Sequence, residues 1–296
     1  GPVKAWLSTM YGCTTFSTSC IVPYVRGRER SPRFDDVVAE ARSLVEAGYK
    51  DITLLGQNVN SYGRDLDEGR DFADLIRAIN DIPGDFLIRF MTSHPRDATE
   101  KLFRTMAECE KCAKHIHLPV QSGSNRILKA MNRHYGREKY LEEVRTAREL
   151  MPDIVLTTDI IVGFPGETRS DFDETLSLVR EVGYDAMFTF IFSPREGTPA
   201  AKLPDPVSRE EKQVWFDELV ELSNSISGEK HAAYAGKTLR VLVDGETGRD
   251  GYNLSARTNG GRLVHLKGGA ELIGRFINAK ITGWNTWALY GEIQED

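Results

Sequence analysis

Residues 11–20 read Tyr-Gly-Cys-Thr-Thr-Phe-Ser-Thr-Ser-Cys, directly after an apolar run at 5–9. Cys13 and Cys20 hold the first and last places of a C-x3-C-x2-C pattern, and Ser17 stands where the middle cysteine belongs. Three thiolates at that spacing grip three irons of a [4Fe-4S] cluster and leave the fourth open. A serine hydroxyl does this poorly, because it stays protonated near neutral pH and is a hard ligand. The loop matters for the fold because of where it falls, just past the first strand-like run of a repeating pattern.

That pattern alternates short β-rich runs with amphipathic stretches. Strands are expected at 5–9, 52–55, 86–91, 115–120, 155–162 and 187–192, and helices at 34–47, 72–79, 99–106, 137–150, 171–182 and 209–229. Asp35, Asp71 and Ser170 are the expected N-caps, and Gly48 and Gly183 the expected C-terminal stops. β/α units in series give a parallel sheet or partial barrel, with chemistry on the loops at the carboxyl ends of the strands. Those loops hold Cys13 and Cys20, Gly56-Gln57-Asn58, Thr92-Ser93-His94-Pro95, Gln121-Ser122-Gly123-Ser124, 163–167 and 193–198.

From about residue 234 the pattern changes to short strands at 239–243, 262–266, 276–284 and 288–293, separated by glycines such as Gly236, Gly245, Gly251 and Gly274. This predicts a small all-β barrel. The division expected is 1–232 and 233–296.

The chain has 296 residues, 40% hydrophobic, enough for one large domain and a small one. Its net charge of -6 argues against a molecule that binds nucleic acid over its whole surface, and leaves room for a local basic patch. Four cysteines are too few for a disulfide scaffold of this size and suit a reducing cytoplasm. No run long enough to span a membrane and no signal peptide is read. The opening Gly1-Pro2 resembles the remnant of a protease site and suggests a piece of a longer protein.

The flanks of the cysteine loop carry a resemblance. Gly12 precedes it, and Ile21-Val22-Pro23-Tyr24-Val25-Arg26-Gly27-Arg28-Glu29-Arg30-Ser31 follows. With them go Gly56-Gln57-Asn58-Val59-Asn60-Ser61-Tyr62-Gly63, Thr92-Ser93-His94-Pro95 and His117-Leu118-Pro119-Val120-Gln121-Ser122-Gly123-Ser124. Met131-Asn132-Arg133, the run from Asp159 to Thr168 and the run from Ser193 to Ala200 complete the set. Together they resemble the methylthiotransferase family of radical S-adenosylmethionine (SAM) enzymes, and most of all its branch acting on isopentenyladenosine in tRNA.

The resemblance implies a partial (β/α)6 radical SAM barrel followed by a small TRAM barrel that binds RNA. It implies a [4Fe-4S] cluster on Cys13, Cys20 and the position of Ser17, and SAM held by Gln57, Ser122, Ser124, Arg133 and Asp159. It further implies reductive cleavage of SAM, methylthio insertion at C2 of the adenine beside the anticodon, a tRNA anticodon arm as partner and an electron donor such as a flavodoxin. A cytoplasmic monomer with no membrane contact is expected. The chain departs from the family at Ser17, and at Ser19, where an aromatic is usual. The family's N-terminal domain, which carries a second [4Fe-4S] cluster, has no counterpart in these residues. Relatives acting on threonylcarbamoyl-adenosine or on a ribosomal protein are alternatives, as is an RNA- and SAM-binding module without redox chemistry, which Ser17 favours.

Arginines 26, 28, 30 and 33 sit beside the cysteine loop, either as a solvated face or as a grip on RNA phosphates, with Arg26, Arg28 and Arg30 the RNA candidates. In the small barrel, Arg240, Arg257 and Arg275 are candidates for the same task, near Arg262, Lys267, Tyr252, Trp284 and Trp287. Cys109-Glu110-Lys111-Cys112 has the spacing of half a zinc site but lacks a second pair, so it reads as incidental. His115 and His117 alternate as strand residues and are expected on one face.

Overall fold

The computed structural model describes residues 2–9, 30–56, 58–91 and 94–295. Six parallel strands run in chain order: β1 (Lys4–Ser8), β2 (Asp51–Leu55), β3 (Leu87–Phe90), β4 (His115–His117), β5 (Val155–Val162) and β6 (Ala186–Ile191). They form two three-stranded sheets, β1-β2-β3 and β4-β5-β6. A parallel bridge between Ile88 and Cys112 joins them. This is the partial barrel expected from the alternation.

Helices α1 (Phe34–Glu46), α2 (Phe72–Asn80), α3 (Glu100–Glu108), α4 (Asn125–Ala130), α5 (Arg137–Leu150), α6 (Arg169–Val182) and α7 (Arg209–Ala232) cover the outside. Each buries one apolar stripe against the strands, as α1 does with Phe34, Val37 and Ala41. The faces that the strands turn to the helices are buried at Ala5 and Leu7, Ile52 and Leu54, and Leu156, Ile160 and Val162. The alternate residues face the barrel interior, and on β6 these are the exposed Phe188 and Phe190.

Local chemistry sets the boundaries. Asp71 caps α2 in a reciprocal box with Asp74, as expected. Ser170 is not a cap: Thr168 and Asp171 make the box, so α6 starts two residues earlier, at Arg169. Asp35 is likewise inside the first turn of α1, behind Arg33. Gly183 closes α6 in the left-handed region at φ 64°. The strand expected to Val120 ends at His117, because Pro119 cannot donate to the ladder. Backbone pairing with β5 nonetheless continues through Leu118 and Gln121, whose N–H groups bond Thr157 O and Asp159 O at 2.9 Å each.

The C-terminal strands are β7 (Thr238–Glu246), β8 (Leu254–Thr258), β9 (Leu263–Leu266), β10 (Phe276–Trp284) and β11 (Leu289–Gln294), closed in the order β10-β11-β9-β8-β7. β8 was not expected, yet it alternates cleanly, burying Leu254, Ala256 and Thr258. The barrel has its own apolar core, including Val241, Val243, Leu266, Ile281 and Leu289. It docks on the amino ends of the large barrel's strands. Lys4 pairs with Asp244 at 2.9 Å. The Lys114 N–H donates to Asn259 Oδ1 at 2.7 Å, and Arg262 makes a buried ion pair with Asp185, just before β6.

Candidate active site at the carboxyl ends of the barrel strands

Cys13, Ser17, Cys20, Arg26, Arg28 and Gln57 lie outside the described residues. Arg30, at the edge of the described chain, is exposed. The site is therefore built from the loops after β3, β4 and β5.

After β4 the chain turns sharply, with Gln121 at φ 71°. Gly123 sits against α6 so closely that a Cβ there would lie 2.6 Å from Glu174 O and 2.6 Å from Thr175 Cα. The Gly123 N–H donates to Thr175 Oγ1 at 2.9 Å. Ser122 and Ser124 are both fully buried. Ser124 Oγ donates to Asp171 Oδ1 at 2.8 Å and caps α4. Ser122 Oγ accepts from the Ser124 N–H at 3.1 Å. Contact of these hydroxyls with SAM remains a proposal. They face into the protein, and the short α4 they start, absent from the sequence expectation, is the element they serve.

Arg133 follows α4. It is buried, its Nε donates to the Tyr135 hydroxyl at 3.2 Å, and its guanidinium lies 5.5 Å from the Tyr135 ring centre. No carboxylate among the described residues pairs with it. His94 meets the same ring from another side, with centroids 5.5 Å apart. Its Nδ1 accepts from the Arg96 N–H at 3.1 Å. Burial, with Arg133 and Arg96 nearby, lowers the His94 pKa to about 3. The ring is therefore neutral, and the proton is assigned to Nε2, a buried donor with no acceptor among the described residues. Sequence reasoning quoted His94 as part of a motif and gave it no role; only the fold sets it beside Arg133.

Deeper in the barrel a polar row crosses β4 and β5. Thr157 Oγ1 is 3.0 Å from His115 Nε2 and 2.8 Å from His117 Nδ1. His117 Nε2 lies 3.2 Å from Asp159 Oδ1, and the edge of Phe188 covers the His117 ring at 5.8 Å between centroids. His115 and His117 thus share a face, as alternation predicted. Burial lowers the His115 pKa to about 3. The Asp159 side chain keeps 28% of its surface open. At the end of β5, Glu167 Oε1 accepts from the Gly163 N–H at 2.7 Å, and burial pushes this carboxyl up to about 7.

Cys109 and Cys112 are buried free thiols in the β3–β4 connection, the latter pushed up to about 12 by burial. No group of three metal-ligating side chains occurs among the described residues. In the small barrel the three RNA candidates separate. Arg240 is tied to Asp85 of the large barrel, Arg275 is exposed, and Arg257 turns into the seam between the barrels, donating to Gly261 O at 3.3 Å. Tyr252, His265 and Tyr290 cluster, with the two tyrosine rings 5.1 Å apart. Trp287 and Trp284 are 72% and 47% exposed, free of the barrel core.

A six-strand parallel partial barrel with polar loops at its carboxyl ends is the frame of the radical SAM fold. A model of the radical SAM superfamily matches residues 7–179, and a model of the TRAM domain matches residues 232–293. The chain belongs to the radical SAM superfamily. It is 53% identical over 290 residues to a protein of Clostridium botulinum (strain Langeland) named tRNA-2-methylthio-N(6)-dimethylallyladenosine synthase, covering 98% of this chain and 64% of that one. It is 52% identical over 293 residues to a protein of the same name from Thermoanaerobacter sp. (strain X514), covering 99% and 62%. The chain thus spans less than two thirds of these relatives.

Two solved structures share the fold. Coproporphyrinogen III oxidase (HemN) from Escherichia coli matches with a TM-score of 0.57 at 16% identity, over 76% of this chain and 53% of that one. The methyltransferase TsrM from Kitasatospora setae, with cobalamin and a [4Fe-4S] cluster bound, gives 0.55 at 19% identity, over 67% and 38%.

The family works with a [4Fe-4S] cluster and SAM. For the cluster, this chain's donors fall short: Cys109 and Cys112 are buried elsewhere, which leaves two thiols and the Ser17 hydroxyl. A zwitterionic ligand such as SAM fits better. Its carboxylate has the complement of a buried guanidinium and an Nε2–H donor, and its cationic or hydroxyl groups have that of the part-open Asp159 carboxylate.

Proposed function

We propose that this chain is the radical SAM and TRAM portion, 1–232 and 233–296, of a tRNA methylthiotransferase. Its target is C2 of the isopentenyladenosine beside the anticodon. The carrying observation is the identity of 51–53% along nearly the whole chain to proteins named for that reaction. The geometry supports an apolar substituent on the base: Met91, Phe188 and Phe190 are 45%, 58% and 53% exposed, and the two phenylalanines face the barrel interior. The carboxylate of threonylcarbamoyl-adenosine has less to gain from that wall, and nothing in the fold favours a ribosomal protein.

In this reading Arg133, with His94, receives the methionine carboxylate of SAM, and Asp159, oriented by His117, receives an amine or ribose hydroxyl. Gln57 remains a proposed contact, as do Arg26, Arg28, Arg30 and Arg275 for RNA phosphates. Ser17 specifically supports a second reading of the chain as it stands, a module that binds SAM and RNA without redox chemistry. A cytoplasmic monomer served by a flavodoxin-type donor is part of the proposal. No helix among the described residues is long and apolar enough to cross a membrane.

The test is binding of anticodon stem–loops that differ only at the target base. The isopentenyl form is expected to bind at least tenfold more tightly than the threonylcarbamoyl form. Equal affinity for the two would remove the substrate assignment.

A further inference from the structure

The seam between the two barrels opens on a cavity of about 570 Å³ that runs from the amino ends of the large barrel's strands into its interior, where Thr53, His115, Thr157 and Met91 line it. That volume lies within the range of small-molecule sites, and domain interfaces are where such sites concentrate. The turn between β8 and β9 forms its floor. Asn259 O accepts from Arg89 Nη1 at 3.2 Å, and Gly260 meets Val155 too closely to carry a side chain.

Three polar atoms around the cavity are buried and lack a partner among the described residues: Asp51 Oδ1, Arg89 Nη2 and Arg262 Nε. Two are guanidinium donors and one is a carboxylate acceptor. Arg257 Nε lies 3.6 Å from Asp244 Oδ2. The lining also holds the two most exposed tryptophans, Trp6 of β1 at 62% and Trp287 of the small barrel at 72%. Aromatic surface for stacking, guanidinium donors for phosphate or base edges and one acceptor together match a nucleotide. Each arginine is held by one carboxylate, Arg89 by Asp51, Arg257 by Asp244 and Arg262 by Asp185, yet Arg89 Nη2 and Arg262 Nε keep a free donor among the described residues. A purely structural seam would have covered the tryptophans and used those donors.

We propose that this cavity is a nucleotide subsite. It takes the base and phosphate of an unpaired nucleotide of the bound RNA, distinct from the nucleotide presented at the carboxyl ends of the strands. The inference rests on the RNA reading above. Its particular content is that the large barrel shares the nucleotide with the small one, through Trp6 and Arg89.

The experiment titrates the 296-residue chain with an anticodon stem–loop RNA and, separately, with adenosine monophosphate, following tryptophan fluorescence. The variants are Trp6→Ala, Trp287→Ala, Trp287→Phe and Arg257→Gln. Trp284→Ala, outside the cavity lining, is the control, and circular dichroism and melting check each fold. Trp6→Ala, Trp287→Ala and Arg257→Gln are expected to weaken RNA binding about tenfold each, with Trp287→Phe and Trp284→Ala within about twofold of the parent. Unchanged RNA affinity in Trp6→Ala and Arg257→Gln would overturn the subsite and leave the RNA reading standing. Binding of the monophosphate alone, lost in Trp287→Ala, would uphold the nucleotide chemistry with a free ligand as its source and overturn the RNA reading. Binding of neither would overturn both.

Discussion

Asp171 is the joint that holds the Gln121–Ser124 turn onto α6, and its removal has a calculable cost. Its carboxylate accepts from Ser124 Oγ at 2.8 Å, the Thr168 N–H at 2.8 Å and Arg126 Nε at 3.3 Å. Asp171→Ala breaks the capping box of α6, worth about 1 kcal/mol. It also strands the buried Ser124 hydroxyl, at about 1–3 kcal/mol. The Arg126 partner is 59% exposed, so that ion pair adds less than about 1 kcal/mol. The sum is about 2–4 kcal/mol, or a fall in melting temperature on the order of 5–15 °C. The effect is pH-dependent. Burial acts to raise this carboxyl's pKa and is outweighed by hydrogen bonds from Arg126, Thr168 and Ser124, so the group is held well below the usual carboxylate range. A depressed folded-state pKa contributes stability that is fully present above the unfolded value of about 3.9 and is lost progressively as pH falls from there toward the folded-state value. Scanning fluorimetry at pH 7 and pH 3 is the assay. The gap between parent and variant should be widest at pH 7 and should narrow at pH 3. A loss under 1 °C at pH 7, or a gap that does not change with pH, would refute the assignment of Asp171 as the joint.

Gly123→Ala places a methyl 2.6 Å from the backbone of α6 and should cost about 1–3 kcal/mol by chemical denaturation, with weaker SAM binding because the β4–α4 turn must shift. Glu143 is buried with neither carboxylate oxygen hydrogen-bonded among the described residues and Lys139 Nζ 3.8 Å from Oε1, and burial, only partly offset by Lys139, pushes it up to about 8. A raised folded-state pKa contributes stability below about pH 4.3 that is lost as pH rises through 8, so Glu143→Gln should melt higher than the parent at pH 9 and little differently at pH 4. Arg262→Ala leaves the buried Asp185 carboxylate without its cation, at about 3–5 kcal/mol, and should open the stretch 233–237 to limited proteolysis.

The barrel was legible because its signals are local. Strand alternation, the Asp71 box and Gly183 each act within a few residues, and β5, α5 and β10 fall where the periodicity puts them. α4 escaped notice because six residues are too short to show a helical period, and its start depends on Ser124. The site was legible by type more than by role. Ser122 and Ser124 lie in a polar loop, but the approach of Gly123 to α6 turns both hydroxyls inward, and only tertiary packing determines that. His94 is the converse: its importance comes from Tyr135 and Arg133, some forty residues away in sequence. The seam was invisible in the sequence, because Trp6 and Trp287 meet one cavity only once the small barrel has docked.

The most direct test of the central claim, a radical SAM core one thiolate short of its cluster, is anaerobic reconstitution with iron and sulfide of the chain and of Ser17→Cys. Bound iron and 5′-deoxyadenosine released from SAM under reduction are then measured. About four irons and release of 5′-deoxyadenosine are expected for Ser17→Cys, and neither for the parent chain. A Ser17→Cys protein that holds no cluster and cleaves no SAM would contradict that claim.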